Sequence, residues 1–461
     1  MTPSEFEQVE QWAAEFENFH ARFAHIFVRS EPREEARQYL RGLLALVKRK
    51  NCWQMAEVVG EKDPQSMQRL LYHASWDADA VRDELQRFVI ERFGDKEGIG
   101  VVDETGFLKK GEKSVGVKRQ YTGTAGKVEN CQVGVFLTYF NRRGYTFLDR
   151  RLYLPEEEWC TDWERRREAK VPEEVTFKTK PELALEMLEH AWAQGVPMGW
   201  VTGDEVYGNA TYLRDAIAGA GKKCVLAVST SAPVWRERPP LEEPTKGAMG
   251  RPRKKPRLAA GAPSWETAAA VVASLPEKAW RRLTVSEGEK GPRTYDWARV
   301  RIVESREGLP GPDGWLLARR SLTDPTDIAY YLSNAPEGTS LQTMTEVASA
   351  RWSIETTIEE GKGEAGLDEY EVRYWHSWHR HITLSMMAHA WLASIRQAEG
   401  EKSAGSRTGR SECSRGEAAA GGRAAAATPL PRIAVGLVSL AASQATAGPP
   451  QSLSATGRSL A

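Results

Sequence analysis

Residues 98–110, GIGVVDETGFLKK, decide the fold because they carry an acid out of an apolar strand. The β-branched run at residues 99–102 is typical of a buried strand. Asp103 is predicted at the end of that strand, with a flexible basic loop over residues 106–111 beside it. A carboxylate in this position suits a metal ligand near an anionic substrate. It could equally cap the turn that follows the strand.

A second stretch, residues 198–209 (MGWVTGDEVYGN), repeats this pattern. A short strand ends at Val201, Gly203 allows the backbone to turn, and Asp204 follows. If the two strands are neighbours in one sheet, Asp103 and Asp204 meet at one edge of that sheet. Hard oxygen ligands placed in this way suit Mg²⁺ or Mn²⁺.

A third acid is predicted on a helix over residues 343–363. Arg351, Glu355 and Lys362 are separated by four and seven residues, which places them on one face of the helix. Glu359 lies between the last two. A solvated face of alternating charge would show the same spacing, but the two aspartates upstream favour a functional face.

These stretches together resemble the DDE transposases of bacterial insertion sequences, in the branch with a β-rich insertion between the second Asp and the Glu. Within that branch the sequence is most similar to the group numbered seven hundred and one. The matching pieces are VVDETGFLKKG, VTGDEVYG and RWSIETTIEEGKGEAGLDEYEVR, and the resemblance spans residues 40–396. The family pattern reads Tyr, two residues, Arg, three residues, Glu, six residues, Lys. Arg351, Glu355 and Lys362 stand in this register, and Ala348 occupies the Tyr position.

The resemblance implies an α/β fold with a ribonuclease-H-like mixed sheet, flanking helices, an N-terminal all-helical domain and a β-rich insertion. It implies that Asp103, Asp204 and Glu355 are catalytic and hold two Mg²⁺ ions, for which Mn²⁺ would substitute, with Asp103 bridging the ions. Arg351 and Lys362 would grip phosphates beside the scissile bond. The implied partners are double-stranded DNA, as terminal inverted repeats and target, and a second copy of the chain in a DNA-bound homodimer.

The pattern of helices, strands and linkers predicts five segments. Residues 98–228 read as three strands, helix, strand, helix and strand, the order expected of a ribonuclease-H-like sheet. The segments are a helical DNA-binding domain (1–95), the first part of the catalytic core (96–230), a β-rich insertion with a basic linker (231–336), the second part of the core with the Glu355 helix (337–398), and a disordered or divergent tail (399–461).

Two further stretches are candidate DNA contacts. Residues 52–72 have helix-turn-helix spacing, with Gln68 and Arg69 facing outward, although an ordinary helical hairpin has the same spacing. The second stretch is GRPRKKPR, residues 250–257. Such a run resembles basic tails that lie in narrow A·T-rich minor grooves, and it could also be a charged linker. Its cations are Arg251, Arg253, Lys254, Lys255 and Arg257.

The amino-acid composition limits which other kinds of protein and site this sequence can form. The 63 Lys and Arg residues balance 63 Asp and Glu residues, so any nucleic-acid surface must be local. Five scattered cysteines without a CxxC pair argue against a disulfide framework or a zinc site. His376, His379 and His381 are interpreted as packing residues or phosphate contacts and not as zinc ligands, because zinc prefers softer ligands than a carboxylate site provides. With no signal peptide and no apolar run of membrane-spanning length, we expect a cytoplasmic protein without membrane partners.

Three functions compete at this stage. An active transposase explains all three acids and the basic pair. A DNA-binding remnant or repressor would retain the helical domain and the insertion and lose catalysis, and the intact acidic triad argues against it. A ribonuclease-H-like nuclease would cut without joining strands, and the long β-like segment between Asp204 and Glu355 argues against it.

Overall fold

The structure is a computed structural model that describes residues 3–243, 255–288 and 291–408. Five helices begin the chain: α1 (Pro3–Arg22), α2 (Ser30–Leu44), α3 (Cys52–Val59), α4 (Gln65–Tyr72) and α5 (Ala78–Phe93). Side-chain caps fix two of their starts, because Asn51 accepts a hydrogen bond from the Gln54 N–H and Asp77 accepts one from the Asp79 N–H. Gly60 ends α3 with φ +85°, a backbone conformation that glycine adopts without strain.

The next part of the chain contains four strands and then a mixture of helices and strands. Its elements are β1 (Gly98–Leu108), β2 (Lys118–Thr122), β3 (Lys127–Asn141), β4 (Gly144–Tyr153), α6 (Trp163–Glu168), α7 (Lys180–Ala193), β5 (Met198–Gly203), α8 (Glu205–Gly208), α9 (Thr211–Gly219) and β6 (Lys223–Val228). A capping box starts α7, in which Thr179 and Glu182 each accept a hydrogen bond from the other's backbone N–H. The sequence predicted three strands, a helix, a strand, a helix and a strand here, whereas the structure adds the strand β2 and the short helices α6 and α8.

One detail of β1 differs from the sequence prediction. The predicted strand ends before Asp103 in a basic loop, whereas β1 continues through Gly106 to Leu108. The strand continues because β3 supplies ladder partners along its whole length, including Val133 opposite Gly106. A Cβ atom on Gly106 would lie 1.9 Å from Thr122 Oγ1, so glycine is needed here for close packing and not for a turn.

These strands form the centre of a mixed sheet. Its central order is β4–β3–β1–β5–β6, in which β3 runs antiparallel to both β4 and β1. β5 runs parallel to both β1 and β6. The parallel pairing ends with Val102 of β1 opposite Gly203 of β5, so the residues that follow these two positions are neighbours.

The segment after β6 extends the same sheet. It contains β7 (Pro233–Trp235), β8 (Leu241–Glu242), β9 (Arg257–Leu258), β10 (Glu266–Thr267), α10 (Ala268–Ala273), β11 (Arg281–Gly288), β12 (Gly291–Arg306), β13 (Leu309–Arg320) and β14 (Ile328–Ser333). The strands predicted for residues 281–335 are therefore present. β14 pairs antiparallel with β6, so this insertion continues the central sheet, which the sequence did not predict.

Three helices complete the described chain: α11 (Leu341–Ser349), α12 (Trp352–Ala365) and α13 (Trp375–Thr408). The single helix predicted over residues 343–363 is wrong, because the chain turns at residues 350–351. The Ser353 N–H bonds to the Ala350 carbonyl three residues back, the tight spacing of a helix junction. α13 also continues past residue 399, where a disordered tail was predicted to begin, and residues 409–461 lie outside the described residues.

One hydrophobic core joins the N-terminal helices to the sheet. Its buried members run from Val9 in α1 to Ile395 in α13. Phe16 packs edge-on against Trp391 with ring centroids 5.6 Å apart, and α13 also packs against α2, α5 and β4. Within the described ranges, we find no helix long and apolar enough to span a membrane.

A buried hydrogen-bond chain ties α2 to α13. His381 Nδ1 lies 2.8 Å from the Tyr39 hydroxyl, and its Nε2 lies 3.0 Å from the Gly366 carbonyl. Burial lowers the pKa of His381 to about 3, so the ring is neutral. Because a carbonyl can only accept, Nε2 carries the proton and Nδ1 accepts from Tyr39.

We therefore expect Tyr39→Phe to destabilise the whole fold. It leaves the buried Nδ1 atom without a donor, which costs about 1–3 kcal/mol. Urea unfolding followed by tryptophan fluorescence measures this cost. The matched control is Tyr121→Phe, since Tyr121 is exposed and should change stability by less than about 0.5 kcal/mol. Equal stability of the two variants would contradict the hydrogen-bond chain.

Candidate active site

Two aspartates follow the last paired positions of two parallel strands. The register pairs Val102 of β1 with Gly203 of β5, and Asp103 and Asp204 come next in their strands. Asp103 remains within β1 because β3 still pairs with it, so it does not cap a turn. Asp204 does cap α8, where its Oδ1 accepts the Val206 N–H at 2.8 Å. The predicted meeting of the two acids at one edge of the sheet is therefore observed.

The two carboxylates lack enough positive charge to balance them. Burial, together with the nearby Asp204 and Glu104, raises the pKa of Asp103 to about 7. Burial and Glu104 also raise the pKa of Asp204. Two largely buried acids that hinder each other's ionisation would be relieved by a cation bound between them.

Arg351 stands between two of the predicted acids. Its Nη2 lies 2.7 Å from Glu355 Oε1, and its Nη1 lies 3.5 Å from Asp103 Oδ2. Arg351 precedes the first turn of α12, so it belongs to the helix junction and not to the middle of a long helix. This position lets one guanidinium reach both a strand acid and a helix acid.

Lys362 lies two turns after Glu355 on α12, over the last part of β1. Its Nζ atom donates to Thr105 Oγ1 at 2.9 Å and lies 3.3 Å from Thr124 Oγ1. Burial lowers the pKa of Lys362. The ammonium group thus sits beside neutral oxygens, two residues along β1 from Asp103.

The donor chemistry of the acids fits a divalent cation, but a complete ligand set is not assembled. Within the described ranges, no group of three or more His, Cys, Asp or Glu side chains is close enough to hold a metal ion. Asp103 and Asp204 lie together, whereas Glu355 is ion-paired with Arg351 and half-exposed. The carboxylate oxygens are the ligand type that Mg²⁺ and Mn²⁺ prefer.

Sequence reasoning missed a second group of side chains behind this edge. Because successive side chains of a strand point to opposite faces, Glu104 lies on the face of β1 opposite to Asp103. It accepts hydrogen bonds from Lys180 Nζ at 2.6 Å and from the buried Tyr207 hydroxyl at 2.7 Å. The only sequence signal is the acid pair Asp103–Glu104 in a strand, and its partners are distant along the chain.

The other predicted site residues lie apart from the acids or outside the described ranges. Gln68 and Arg69 are exposed on α4, and Ala348 is buried in α11. Lys255 and Arg257 are exposed, and they pair with Glu307 at 3.8 Å and with Glu242 at 2.6 Å. Residues 251, 253 and 254 of the basic run lie outside the described residues.

Comparisons with known proteins give matches to a family, to a sequence relative and to a solved structure. A family described as DDE superfamily endonuclease matches residues 22–292. A probable transposase for insertion sequence element IS701 from Microchaete diplosiphon is 30% identical over 178 residues, which is 38% of this chain and 43% of that relative. The chain thus spans less than half the length of this relative. A piggyBac transposase in a synaptic complex with hairpin DNA is 9% identical at a TM-score of 0.40, covering 91% of this chain and 74% of the other.

Proposed function

Because the chain belongs to the DDE superfamily of endonucleases, we propose that it is a DNA transposase that cuts and joins the ends of an insertion sequence. The observation that carries this proposal is the meeting of Asp103 and Asp204 at one edge of the sheet, with Arg351 and Glu355 beside them. The 30% identity to an insertion-sequence transposase supports it. The substrate would be double-stranded DNA carrying the terminal inverted repeats, together with target DNA.

We also propose that the core has the ribonuclease-H-like fold. The strand order β4–β3–β1–β5–β6, with three antiparallel strands followed by two parallel ones, supports this. The helices α7 and α9 alternate with β5 and β6 in the manner of that architecture. On this proposal the N-terminal helices form the DNA-binding domain, and the strands after β6 form the insertion.

Each of the acidic and basic side chains at this site would have its own role at the reacting phosphate. Two Mg²⁺ ions, or Mn²⁺ in their place, would activate the attacking hydroxyl and stabilise the leaving oxygen when bound. Asp103 and Asp204 provide carboxylate oxygens for them at the sheet edge, and Glu355 provides a third once it leaves Arg351. Arg351 would then turn its planar fork towards a phosphate. Lys362 would hold a neighbouring phosphate as a point charge.

Further contacts would hold the DNA duplex. We assign Gln68 and Arg69 to DNA binding because α4 leaves both side chains exposed. The basic run at residues 250–257 would follow a minor groove, although the ion pairs of Lys255 and Arg257 fit a charged linker as well. Two element ends must be cut and each chain holds one acidic site, so the active form would be a homodimer on DNA.

The metal requirement tests this function directly. The purified chain is mixed with a duplex that carries one end of the element encoding it, and the products are separated on a denaturing gel. We expect strand cleavage at the element boundary in Mg²⁺ or Mn²⁺, complete loss with excess EDTA, and recovery when the metal is restored. Binding without any cleavage would identify a DNA-binding remnant. Cleavage without any strand joining would identify a nuclease.

A further inference from the structure

The strands of the insertion have two chemically different faces. Residues on one face of β12, β13 and β14 pack with α10 into a second hydrophobic cluster. This face includes Val300, Ile302, Leu316, Ala318 and Leu332. Because successive residues of a strand point to opposite faces, the alternate residues of the same strands must lie on the other side of the sheet.

That other side, which we call the arginine face, carries five arginines: Arg281, Arg293, Arg299, Arg301 and Arg319. The register places Arg281, Trp297 and Arg319 directly opposite one another across β11, β12 and β13. α11 packs against β11 and β12 and covers the centre of this side, where Trp297 is buried. The exposed arginines, Arg281, Arg293 and Arg301, remain around its margin.

Aromatic rings hold three of these guanidinium groups in place. Arg299 and Arg301 lie over the ring of Trp315, at 4.3 and 4.9 Å from its centroid. Arg319 lies 4.7 Å from the centroid of Tyr295. A guanidinium stacked on a ring can still donate from its edge, so Arg301 and Arg319 are fixed and able to bind an anion, whereas Arg299 already donates to the Thr339 carbonyl.

Within the part of the chain whose side chains the structure describes, no acid pairs with the arginines of this face. On the opposite face Arg282 and Arg320 both pair with Asp296, at 3.0 and 3.4 Å. Burial, and to a smaller extent the neighbouring Arg281, lowers the pKa of Arg299. A concentrated positive surface of this kind attracts a polyanion.

The arginine face is continuous with the candidate active site. Arg293 lies 5.5 Å from the ring centroid of Trp352, the residue that follows Arg351. Burial raises the pKa of Tyr331, whereas the guanidinium groups of Arg319 and Arg351 both act to lower it. Tyr331 therefore lies near an arginine of this face and also near the arginine that bridges Asp103 and Glu355.

We propose that the arginine face binds the sugar-phosphate backbone of the DNA duplex that leads away from the scissile phosphate. This inference rests on the proposed function only in taking DNA as the substrate. Arginine forks bind phosphate oxygens in pairs, and such contacts fix the position of a duplex without reading its sequence. The face would therefore orient the duplex so that one phosphate reaches Arg351 and the two aspartates.

The test compares two triple variants with the same loss of charge. The face variant carries Arg281→Gln, Arg293→Gln and Arg301→Gln, all at exposed positions. The control carries Arg236→Gln, Arg238→Gln and Arg282→Gln, which are exposed arginines that pair with acids. Fluorescence anisotropy of a labelled blunt-ended duplex, titrated at several salt concentrations, gives the affinity of each. We expect the face variant to bind at least about tenfold more weakly, with the salt slope reduced by up to about 0.9 per lost phosphate contact.

The control should keep the affinity and the salt slope of the wild type. Equal behaviour of the two variants would overturn the inference, and if the wild type still cleaves DNA the proposed function stands. If the wild type never cleaves but the face variant alone loses binding, the arginine face stands and the proposed cleavage fails. A preference of the wild type for an RNA duplex of the same length over DNA would overturn the choice of partner.

Discussion

Asp103→Ala, Asp204→Ala and Glu355→Ala should each abolish metal-dependent DNA cleavage and leave DNA binding close to that of the wild type. Each change removes one oxygen ligand from a shared cation site. The loss should exceed the factor of about 10³ that accompanies the loss of a single positioned donor. Binding should survive because phosphate contacts come from cations elsewhere, and removing an acid lessens repulsion of the DNA. Gel assays of cleavage and anisotropy assays of binding measure the two properties separately.

The matched control is Glu359→Ala, one turn beyond Glu355 on the same helix. Glu359 is also exposed and acidic, so its removal makes the same change in charge. It should cleave DNA at the rate of the wild type. If Glu355→Ala and Glu359→Ala behaved alike, the helix would carry only a solvated charged face. Full cleavage by any one of the three variants would falsify the shared site.

The sequence predicted the two aspartates because local patterns carry this information. A short apolar run before an acid indicates a strand that delivers a carboxylate, and both Asp103 and Asp204 follow such a run. Their meeting depends on which strands are neighbours, and the parallel pairing of β1 with β5 supplies it. The prediction was correct there because its condition, that the two strands are neighbours in one sheet, is met.

Long-range pairing explains what the sequence could not predict. Gly106 was interpreted as part of a flexible loop, but it makes room for Thr122 of β2, a strand that pairs with β3 and not with β1. The insertion was predicted to be β-rich, but the pairing of β14 with β6, which lies far away along the chain, was not predicted. The contact of Glu104 with Lys180 and Tyr207 also joins distant segments. Each of these features depends on a partner that local periodicity does not reveal.

Arg351, at the junction of α11 and α12, is another residue whose contacts the sequence pattern predicted only in part. The four-residue spacing correctly predicted that Arg351 and Glu355 are neighbours, and they form an ion pair at 2.7 Å. The spacing did not reveal the turn at residue 350, which sets the guanidinium close enough to reach Asp103 as well. Arg351 is therefore the counter-charge of two acids in the absence of a bound cation.

Arg351→Ala should slow DNA cleavage by a factor of about 10² to 10³, the usual effect of losing one positioned donor at a developing oxyanion. The concentration of Mg²⁺ that gives half-maximal cleavage should not rise. It should fall or stay constant, because the variant removes a positive charge that lies 3.5 Å from Asp103 and 2.7 Å from Glu355 and would compete with a cation. Single-turnover cleavage rates measured over a Mg²⁺ titration give both quantities.

Two charge-preserving variants separate geometry from charge. Arg351→Lys should recover little activity, since an ammonium group cannot reproduce the planar fork that spans two oxygen atoms. Lys362→Arg should retain more, because Lys362 presents a single Nζ atom beside Thr105 and needs only to supply positive charge. An Arg351→Ala enzyme as fast as the wild type would exclude a role at the phosphate. A defect that disappears at high Mg²⁺ would show that Arg351 supports metal binding, which is the opposite of its proposed role.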